Sequence, residues 1–243
     1  MEINKYIDHT NLKAFATHED IKKLCEEART NHFETVCVNP YYVSYAKEEL
    51  KDSNVNVCTV IGFPLGQNIT AVKEYEAITA IEDGADEIDM VINIAALKDK
   101  DYDYVKQEIE DIRDAIDGHT LKVIIETCYL TKEEIIKMTE ICNDTYVNFI
   151  KTSTGFGTKG AQLEDVELIN EHKNEVLEIK ASGGIKTEED ALKFINAGAT
   201  RLGTSSGVEI MKNCNCEHEC DDHKCEHENC KCKGEQKWNY TMN

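Results

Sequence analysis

The sequence of 243 residues predicts an α/β fold, a (β/α)8 TIM barrel, and three observations support this prediction. Short apolar segments rich in β-branched residues recur along the chain at intervals of roughly 20–30 residues. Helical patterns lie between these segments, which is the arrangement that connects parallel strands. Eight such units in about 210 residues favour a closed barrel, although an open doubly wound sheet fits the same alternation.

The predicted strands are nearly continuous apolar runs, which is typical of parallel strands that are covered on both faces. In chain order they are Tyr6–Thr10, Thr35–Val38, Asn56–Phe63, Glu87–Ile92, Leu121–Thr127, Tyr146–Thr152, Val176–Ser182 and Thr200–Ser205. Two of the intervening helices are expected to begin after a threonine that acidic residues follow, Thr17 and Thr187. The second of these helices is expected to end at Gly198.

Composition and charge argue against several classes of function. The formal net charge is −20, so a broad surface for nucleic acid or for an anionic membrane is not expected. The sequence contains no apolar stretch of about 18 residues that would predict a membrane span. The N-terminal segment MEINKYIDHT lacks a basic region followed by an apolar one, so we expect no secretion signal and a cytoplasmic location.

The eleven cysteines divide into two groups. Six of them lie close together between Cys214 and Cys232, near the end of the chain. The others show no paired spacing and are expected to be buried or surface thiols in a reducing compartment: Cys25, Cys37, Cys58, Cys128 and Cys142.

Lys151 directly follows the apolar residues Phe149 and Ile150, and the chain then continues as Thr-Ser-Thr-Gly. An ammonium group at the end of a buried strand either reaches solvent or occupies a pocket. Lys180 ends the next predicted strand, so the two lysines are expected to be neighbours at one rim of the barrel. Two ammonium groups about 6 Å apart repel each other, which lowers the pKa of one amine and favours a nucleophile. The alternative is two exposed lysines that each pair with a surface acid.

Two aspartates lie in apolar surroundings near predicted strand ends. Asp89 belongs to the segment EIDMVIN, so its carboxylate is expected near the barrel interior, where it needs a partner. Beside two lysines it can transfer protons or hold one lysine in place, and the alternative is a structural ion pair. Asp8, in the first predicted strand, is a second candidate of the same kind.

Glycine-rich segments follow the last two predicted strands. One contains Gly183 and Gly184, and the other contains Gly203, Ser205 and Ser206. Glycine lets backbone N–H groups approach a ligand, and a helix N-terminus favours an anion. Because the loops after strands seven and eight commonly bind phosphate in such barrels, these segments predict a phosphate site.

Seven motifs occur in an order that resembles the deoxyribose-phosphate aldolase family: IDHT, VCVNP, EIDMVIN, KVIIET, IKTSTGF, KASGGI and RLGTSSG. The resemblance runs from about Ile7 to Met211. It implies a (β/α)8 barrel and a class I aldolase that requires no metal or other cofactor for catalysis. The implied reaction, in deoxyribonucleotide catabolism, is reversible cleavage of 2-deoxy-D-ribose 5-phosphate to D-glyceraldehyde 3-phosphate and acetaldehyde.

The resemblance also implies roles for single residues. By position in the motifs, Lys151 is the Schiff-base lysine, and Asp89 and Lys180 are proton donors and acceptors. The expected partners are small phosphorylated sugars and aldehydes. Together with the loop composition, the motifs assign nine residues to substrate binding: Asp8, Cys37, Thr154, Gly155, Gly183, Gly184, Gly203, Ser205 and Ser206.

The resemblance stops at Met211, which predicts an aldolase domain over residues 1–211 and a tail over residues 212–243. The spacing of the tail cysteines is irregular, and the tail has few apolar residues to form a core. A tail that binds metal, with zinc as the candidate, and a disordered tail without a ligand are both open. The candidate ligands, of types that suit Zn²⁺ or Cu⁺, are Cys214, Cys216, Cys220, Cys225, Cys230, Cys232, His218, His223 and His227.

Two other functions fit the same sequence. One is a metal-buffering or redox-sensing protein on a barrel that has lost catalysis, although Lys151, Lys180 and Asp89 are all present. The other is a Schiff-base aldolase for another phosphorylated sugar. The sequence leaves the oligomeric state open, including a homodimer, and it does not show how the last helix of the barrel is completed.

Overall fold

A computed structural model describes residues 2–214, and its eight parallel strands close into a barrel in chain order. Strand eight pairs with strand one, with Asp8 opposite Gly203, so the sheet is not open and the barrel prediction is confirmed. The strands are β1 Ile7–Asn11, β2 Thr35–Val38, β3 Asn56–Ile61, β4 Glu87–Val91, β5 Thr120–Ile124, β6 Phe149–Lys151, β7 Glu178–Ser182 and β8 Arg201–Thr204.

The predicted metal ligands from Cys216 to Cys232 lie outside the described residues. The division of the chain into a domain of residues 1–211 and a tail of residues 212–243 therefore stays a prediction. The last described helix continues to Cys214, three residues past the predicted boundary.

Helices cover the outside of the barrel. Thr17 and Thr187 cap their helices as predicted, because each side chain accepts a hydrogen bond from the N–H group three residues later. Among the helices of residues 2–214, none is long and apolar enough to cross a membrane. The helices are α1 His18–Asn31, α2 Val43–Glu49, α3 Thr70–Glu82, α4 Ile94–Lys98, α5 Tyr102–Ala115, α6 Lys132–Asp144, α7 Leu163–His172, α8 Glu188–Asn196 and α9 Gly207–Cys214, with short 3-10 helices at Ile3–Tyr6, Pro40–Tyr42 and Thr127–Tyr129.

Most predicted strands are longer than the observed ones, because apolar composition reports burial rather than strand pairing. Ile92 and Ile125 are completely buried, yet they follow the last residues of β4 and β5. Tyr146, which the prediction placed in the sixth strand, has a φ of 54°, a left-handed conformation that a strand does not accommodate. Lys151 nevertheless ends β6, as predicted.

Side chains along the strands alternate between two environments. Outward-facing residues such as Ile88, Ile150 and Ile179 belong to the main hydrophobic core, which also contains apolar residues of the helices. Their sequence neighbours Asp89 and Lys180 face the barrel interior and are completely buried as well. The apolar core therefore lies around the barrel, and a layer of charged side chains lies within it.

Candidate active site

A cavity of about 290 Å³ opens at the carboxyl ends of the strands, and Lys151 is among its lining residues. Two of the predicted substrate-binding residues, Asp8 and Cys37, are completely buried in the barrel interior instead. The others line the cavity: Thr154, Gly155, Gly183, Gly184, Gly203, Ser205 and Ser206.

Asp89 is the central carboxylate of the buried charges, and three lysines contact it. Lys151 and Lys180 both donate to Oδ2, at 2.8 Å and 2.7 Å. Lys122 donates to Oδ1 at 2.8 Å. Burial alone would raise the pKa of Asp89, but Lys122, Lys151 and Lys180 hold this pKa well below its usual range. Asp89 is therefore an ionised acceptor that these three lysine side chains share.

Lys180 connects Asp89 to Asp8, whose Oδ2 lies 2.5 Å from the lysine Nζ. Arg201 donates to the other oxygen of Asp8 at 2.9 Å. Burial opposes the charge on Lys180, yet Asp8 and Asp89 raise the pKa of this lysine above its usual range. Burial likewise opposes the charge on Asp8, whose pKa Lys180 and Arg201 lower. In this structure Asp8 contacts Lys180 rather than the cavity.

Lys151 and Lys180 are neighbours, because they are register partners on β6 and β7. The sequence predicts two cations that repel each other. In the structure, one oxygen of Asp89 accepts a hydrogen bond from the Nζ of each lysine. Attraction to the shared carboxylate therefore offsets the repulsion between the two lysines.

Sequence reasoning missed Lys122, Glu87 and Arg201, which belong to the same cluster. Lys122 Nζ lies 2.5 Å from Glu87 Oε2, and Arg201 Nη1 lies 3.3 Å from that oxygen. The signal for Lys122 was present, because a lysine inside the apolar run KVIIET raises the same question as Lys151. Glu87 and Arg201 are the first residues of their strands, where charged side chains ordinarily reach water, so they gave no such signal.

Cys37 and Cys58 are register partners on β2 and β3, and both are completely buried. The Cys58 thiol donates to Asp89 at 3.1 Å and lies 3.3 Å from Lys122 Nζ. A hydrogen bond with Cys58 lowers the pKa of Cys37, whereas burial raises the pKa of Cys58. Ligand atoms of Cys37, Cys58 and Asp89 lie within 4.8 Å of one another, a spacing that suits a metal ion. Lys122 already supplies positive charge at this position, so we assign no metal to it.

The loops after β7 and β8 form the polar end of the cavity. Gly183 and Gly184 have φ values of 86° and 84°, in the left-handed region that favours glycine. A Cβ atom on Gly183 would lie 3.0 Å from the Cα of Gly160, so this turn requires glycine. The predicted residues Ser205 and Ser206 supply hydroxyl groups at this end. Lys13 and Lys186, which the sequence analysis did not identify, add positive charge, so this end suits an anion.

The arrangement supports covalent chemistry at one amine. Lys151 lines the cavity, whereas Lys122 and Lys180 are completely enclosed. A carbonyl compound in the cavity can therefore reach Lys151, whose amine lies 2.8 Å from an ionised carboxylate. A nucleophilic amine, a carboxylate and a second ammonium group are the groups that Schiff-base formation and proton transfer need.

Comparisons with known proteins identify the family. The family model described as "DeoC/LacD family aldolase" matches residues 3–213. A deoxyribose-phosphate aldolase of Thermococcus gammatolerans is 58% identical over 216 residues, which cover 87% of this chain and 96% of that protein. A deoxyribose-phosphate aldolase of Finegoldia magna is 57% identical over 212 residues, which cover 87% of this chain and 100% of that protein.

Solved structures agree with these relatives. A structure described as "QR15, an Aldolase" has a TM-score of 0.84 at 44% identity, covering 87% of this chain and 95% of that one. The deoxyribose phosphate aldolase from Aeropyrum pernix, described as tetrameric, has a TM-score of 0.82 at 32% identity, covering 87% of this chain and 90% of that one. The resemblance that the motifs indicate is confirmed: the chain belongs to the DeoC/LacD family of aldolases.

Proposed function

We propose that the chain catalyses the reversible cleavage of 2-deoxy-D-ribose 5-phosphate to D-glyceraldehyde 3-phosphate and acetaldehyde, through a Schiff base on Lys151. The observation that carries this proposal is the position of Lys151, which lines the cavity and also contacts Asp89. The relatives named deoxyribose-phosphate aldolase, 57% and 58% identical, support the choice of substrate over another phosphorylated sugar. The assembled cluster argues against a barrel that has lost catalysis.

The reaction begins when the neutral amine of Lys151 attacks the C1 aldehyde of the open-chain sugar. The pair of Asp89 and Lys180 donates a proton to the hydroxyl of this adduct, which leaves as water, and the pair regains that proton when the final imine is hydrolysed. The protonated imine then accepts the electron pair of the C2–C3 bond as that bond breaks, which gives an enamine. Asp89 and Lys180 together remove the proton of the C3 hydroxyl and later return a proton to C2 of the enamine. Water hydrolyses the resulting imine, which releases acetaldehyde and restores the amine of Lys151.

The proposed nucleophile belongs to a cluster of buried charges. Its ion pairs join four cations, Lys122, Lys151, Lys180 and Arg201, to three carboxylates, Asp8, Glu87 and Asp89. Of these four cationic side chains, Lys151 lines the cavity, which supports its assignment as the amine that meets the substrate.

The phosphate of the substrate is assigned to the polar end of the cavity. The backbone N–H group of Gly184, the hydroxyl groups of Ser205 and Ser206, and the side chains of Lys13 and Lys186 are its proposed partners. This local positive character explains how a chain with a net charge of −20 binds an anionic sugar.

Reduction with borohydride tests the assignment of the Schiff base. Borohydride added with deoxyribose 5-phosphate should inactivate the protein and attach a reduced adduct that mass spectrometry finds on Lys151. Lys151→Ala should reduce turnover to background, whereas the matched control Lys193→Ala, which removes an exposed lysine, should leave turnover unchanged. An adduct found only on Lys180, or no adduct at all, would overturn the assignment.

The proposal assigns no cofactor to the reaction, because the imine itself accepts the electrons. A separate role is proposed for the tail: binding of Zn²⁺ by some of its six cysteines and three histidines. The density of soft ligands supports this role.

Assembly and location belong to the same proposal. We assign a homodimer in which a second copy covers an exposed apolar face of α3 and the loop before it. Ile69, Val72 and Tyr75 follow one another at three-residue spacing at the start of α3 and are 65%, 41% and 72% exposed, and Leu65 in the loop before α3 is 68% exposed. A cytoplasmic location is consistent with the free thiols of Cys25, Cys37, Cys58, Cys128 and Cys142.

A further inference from the structure

Glu126 is a buried carboxylate that the proposed reaction does not use. Only 2% of its surface is exposed, and it follows β5 in the motif KVIIET. Its backbone is left-handed, with a φ of 52°, which is uncommon for a residue other than glycine. Among the described residues no lysine or arginine forms an ion pair with it, and the groups that donate hydrogen bonds to its carboxyl oxygens are neutral.

Those donors come from the loop that follows Lys151. The N–H group of Thr154 lies 3.3 Å from both carboxylate oxygens of Glu126. The Thr154 hydroxyl donates to Oε2 of the same carboxylate. The Cys128 thiol lies 3.8 Å from Oε1. Gly157 packs against this group so closely that a Cβ atom there would lie 3.0 Å from Glu126 Cδ.

The contact with Glu126 fixes the direction of the Thr154 hydroxyl group. A hydroxyl has one proton to donate and two lone pairs that accept. The Thr154 hydroxyl uses its proton in the hydrogen bond to Glu126, and the N–H group of Phe156 donates to one lone pair of the same hydroxyl at 3.0 Å. One lone pair therefore remains, on a residue that lines the cavity together with Lys151.

We propose that Glu126 is a positioning residue for substrate recognition, because it makes the Thr154 hydroxyl an acceptor for a hydroxyl group of the bound sugar. This inference rests on the proposed function and adds a specificity element to the same site. Because the Thr154 hydroxyl already donates its proton in a hydrogen bond to Glu126, it can only accept from the substrate, so the cavity selects substrates that donate a hydrogen bond there. Acetaldehyde, which has no hydroxyl group, does not use this contact.

Three variants test the inference, with two readouts. Glu126→Gln places an amide donor against the Thr154 N–H group, Thr154→Val removes the hydroxyl, and Thr154→Ser keeps it. For Glu126→Gln and Thr154→Val, kcat/KM for cleavage of deoxyribose 5-phosphate should fall about tenfold, as for loss of one good hydrogen bond. Thr154→Ser should stay near the parent value. The rate of borohydride inactivation with acetaldehyde should stay near the parent value in all three.

Glu108→Gln is the matched control, because Glu108 is a buried carboxylate, 1% exposed, that pairs with Lys73 away from the cavity. It should lower the melting temperature and leave kcat/KM unchanged. An equal loss of cleavage and of acetaldehyde trapping in Glu126→Gln would show a merely structural role and overturn the inference. Unchanged cleavage in Thr154→Val would also overturn it. A parent protein that neither cleaves the sugar nor traps acetaldehyde would instead contradict the proposed function.

Discussion

Lys151 and Lys180 occupy paired positions on neighbouring strands, and both donate to one oxygen atom, at 2.8 Å and 2.7 Å. They differ in access to the substrate, since Lys151 lines the cavity whereas Lys180 is completely enclosed. The enclosed lysine has a raised pKa, so it keeps its charge through the whole neutral range. This pairing places the proposed nucleophile next to a lysine that is charged at rest.

The role of that cation can be tested with two substitutions at Lys180. Lys180→Leu should reduce turnover by about a hundredfold or more, because it removes a proton donor and leaves Asp8 and Asp89 short of a cation. Lys180→Arg keeps the charge but not the proton transfer, so it should preserve borohydride trapping better than turnover. Steady-state rates and trapping rates are the measurements, with melting temperatures to check folding. Near-normal turnover in both variants would remove Lys180 from the mechanism.

Lys122 should be important for stability as well as for activity. Lys122→Met leaves Glu87 and Asp89 buried with one cation fewer, and breaking such a pair costs about 3–5 kcal/mol. Urea denaturation should show this loss, and turnover should fall because Asp89 loses a partner. The double variant Lys122→Met/Glu87→Gln should recover part of the stability. If the double variant is as unstable as the single one, the loss comes from packing rather than from charge.

Acid should destabilise the protein in a window set by the buried aspartates. Lys180 and Arg201 lower the pKa of Asp8, and the three lysines lower that of Asp89, in both cases against burial. An unfolded aspartate binds a proton near pH 4, whereas these folded ones bind it only at lower pH. Their contribution to stability is therefore complete above about pH 4 and is lost as the pH falls further.

Denaturation midpoints measured between pH 2 and pH 7 check this expectation. Asp8→Asn should be less stable at neutral pH, because Lys180 and Arg201 lose a carboxylate, and its midpoint should vary less below pH 4. The exposed control Asp83→Asn should follow the parent curve. A parent curve that is flat below pH 4 would contradict the assignment of these groups.

The tail should be separable from the chemistry. α9 begins at Gly207, next to Ser205 and Ser206, and its eight residues carry the chain about 12 Å from that point. A chain ending at Cys214 should therefore keep its turnover, and EDTA should leave the turnover of the full chain intact. The tail as a peptide should bind Zn²⁺ and release protons, because coordinating thiols must ionise. Turnover that collapses with EDTA and returns with zinc would contradict this independence.

The apolar face of α3 should govern the oligomeric state. Ile69→Glu places a charge on this face and should convert a dimer to a single chain of 27.5 kDa, measured by light scattering after gel filtration. Val176→Glu is the matched control, because Val176 is 72% exposed on another part of the surface. A parent protein that is already monomeric, or a dimer that survives Ile69→Glu, would exclude this face as the interface.

A site residue could be predicted from the sequence where its charge conflicts with its apolar neighbours in the chain. Lys151 and Asp89 were predicted because a charge inside an apolar run contradicts its surroundings. Glu87 and Arg201 begin their strands, so only the closure of the barrel reveals that Glu87 is buried and that Arg201 pairs with Asp8 and Glu87. The role of Glu126 depends on the direction of one side chain across two loops, which no local pattern encodes. Strand position follows from composition, whereas contacts across the barrel follow from the register of the closed sheet.

The pairs formed by Asp8 join the first strand of the barrel to its last two, and its partner Arg201 lies 193 residues further along the chain. During synthesis, Asp8, Glu87 and Asp89 therefore leave the ribosome well before Lys180 and Arg201. Burying these carboxylates without their full set of cations would be costly, so the interior cannot close early. We therefore expect the charged interior to close, and the reaction centre to form, only when the final strands have been made.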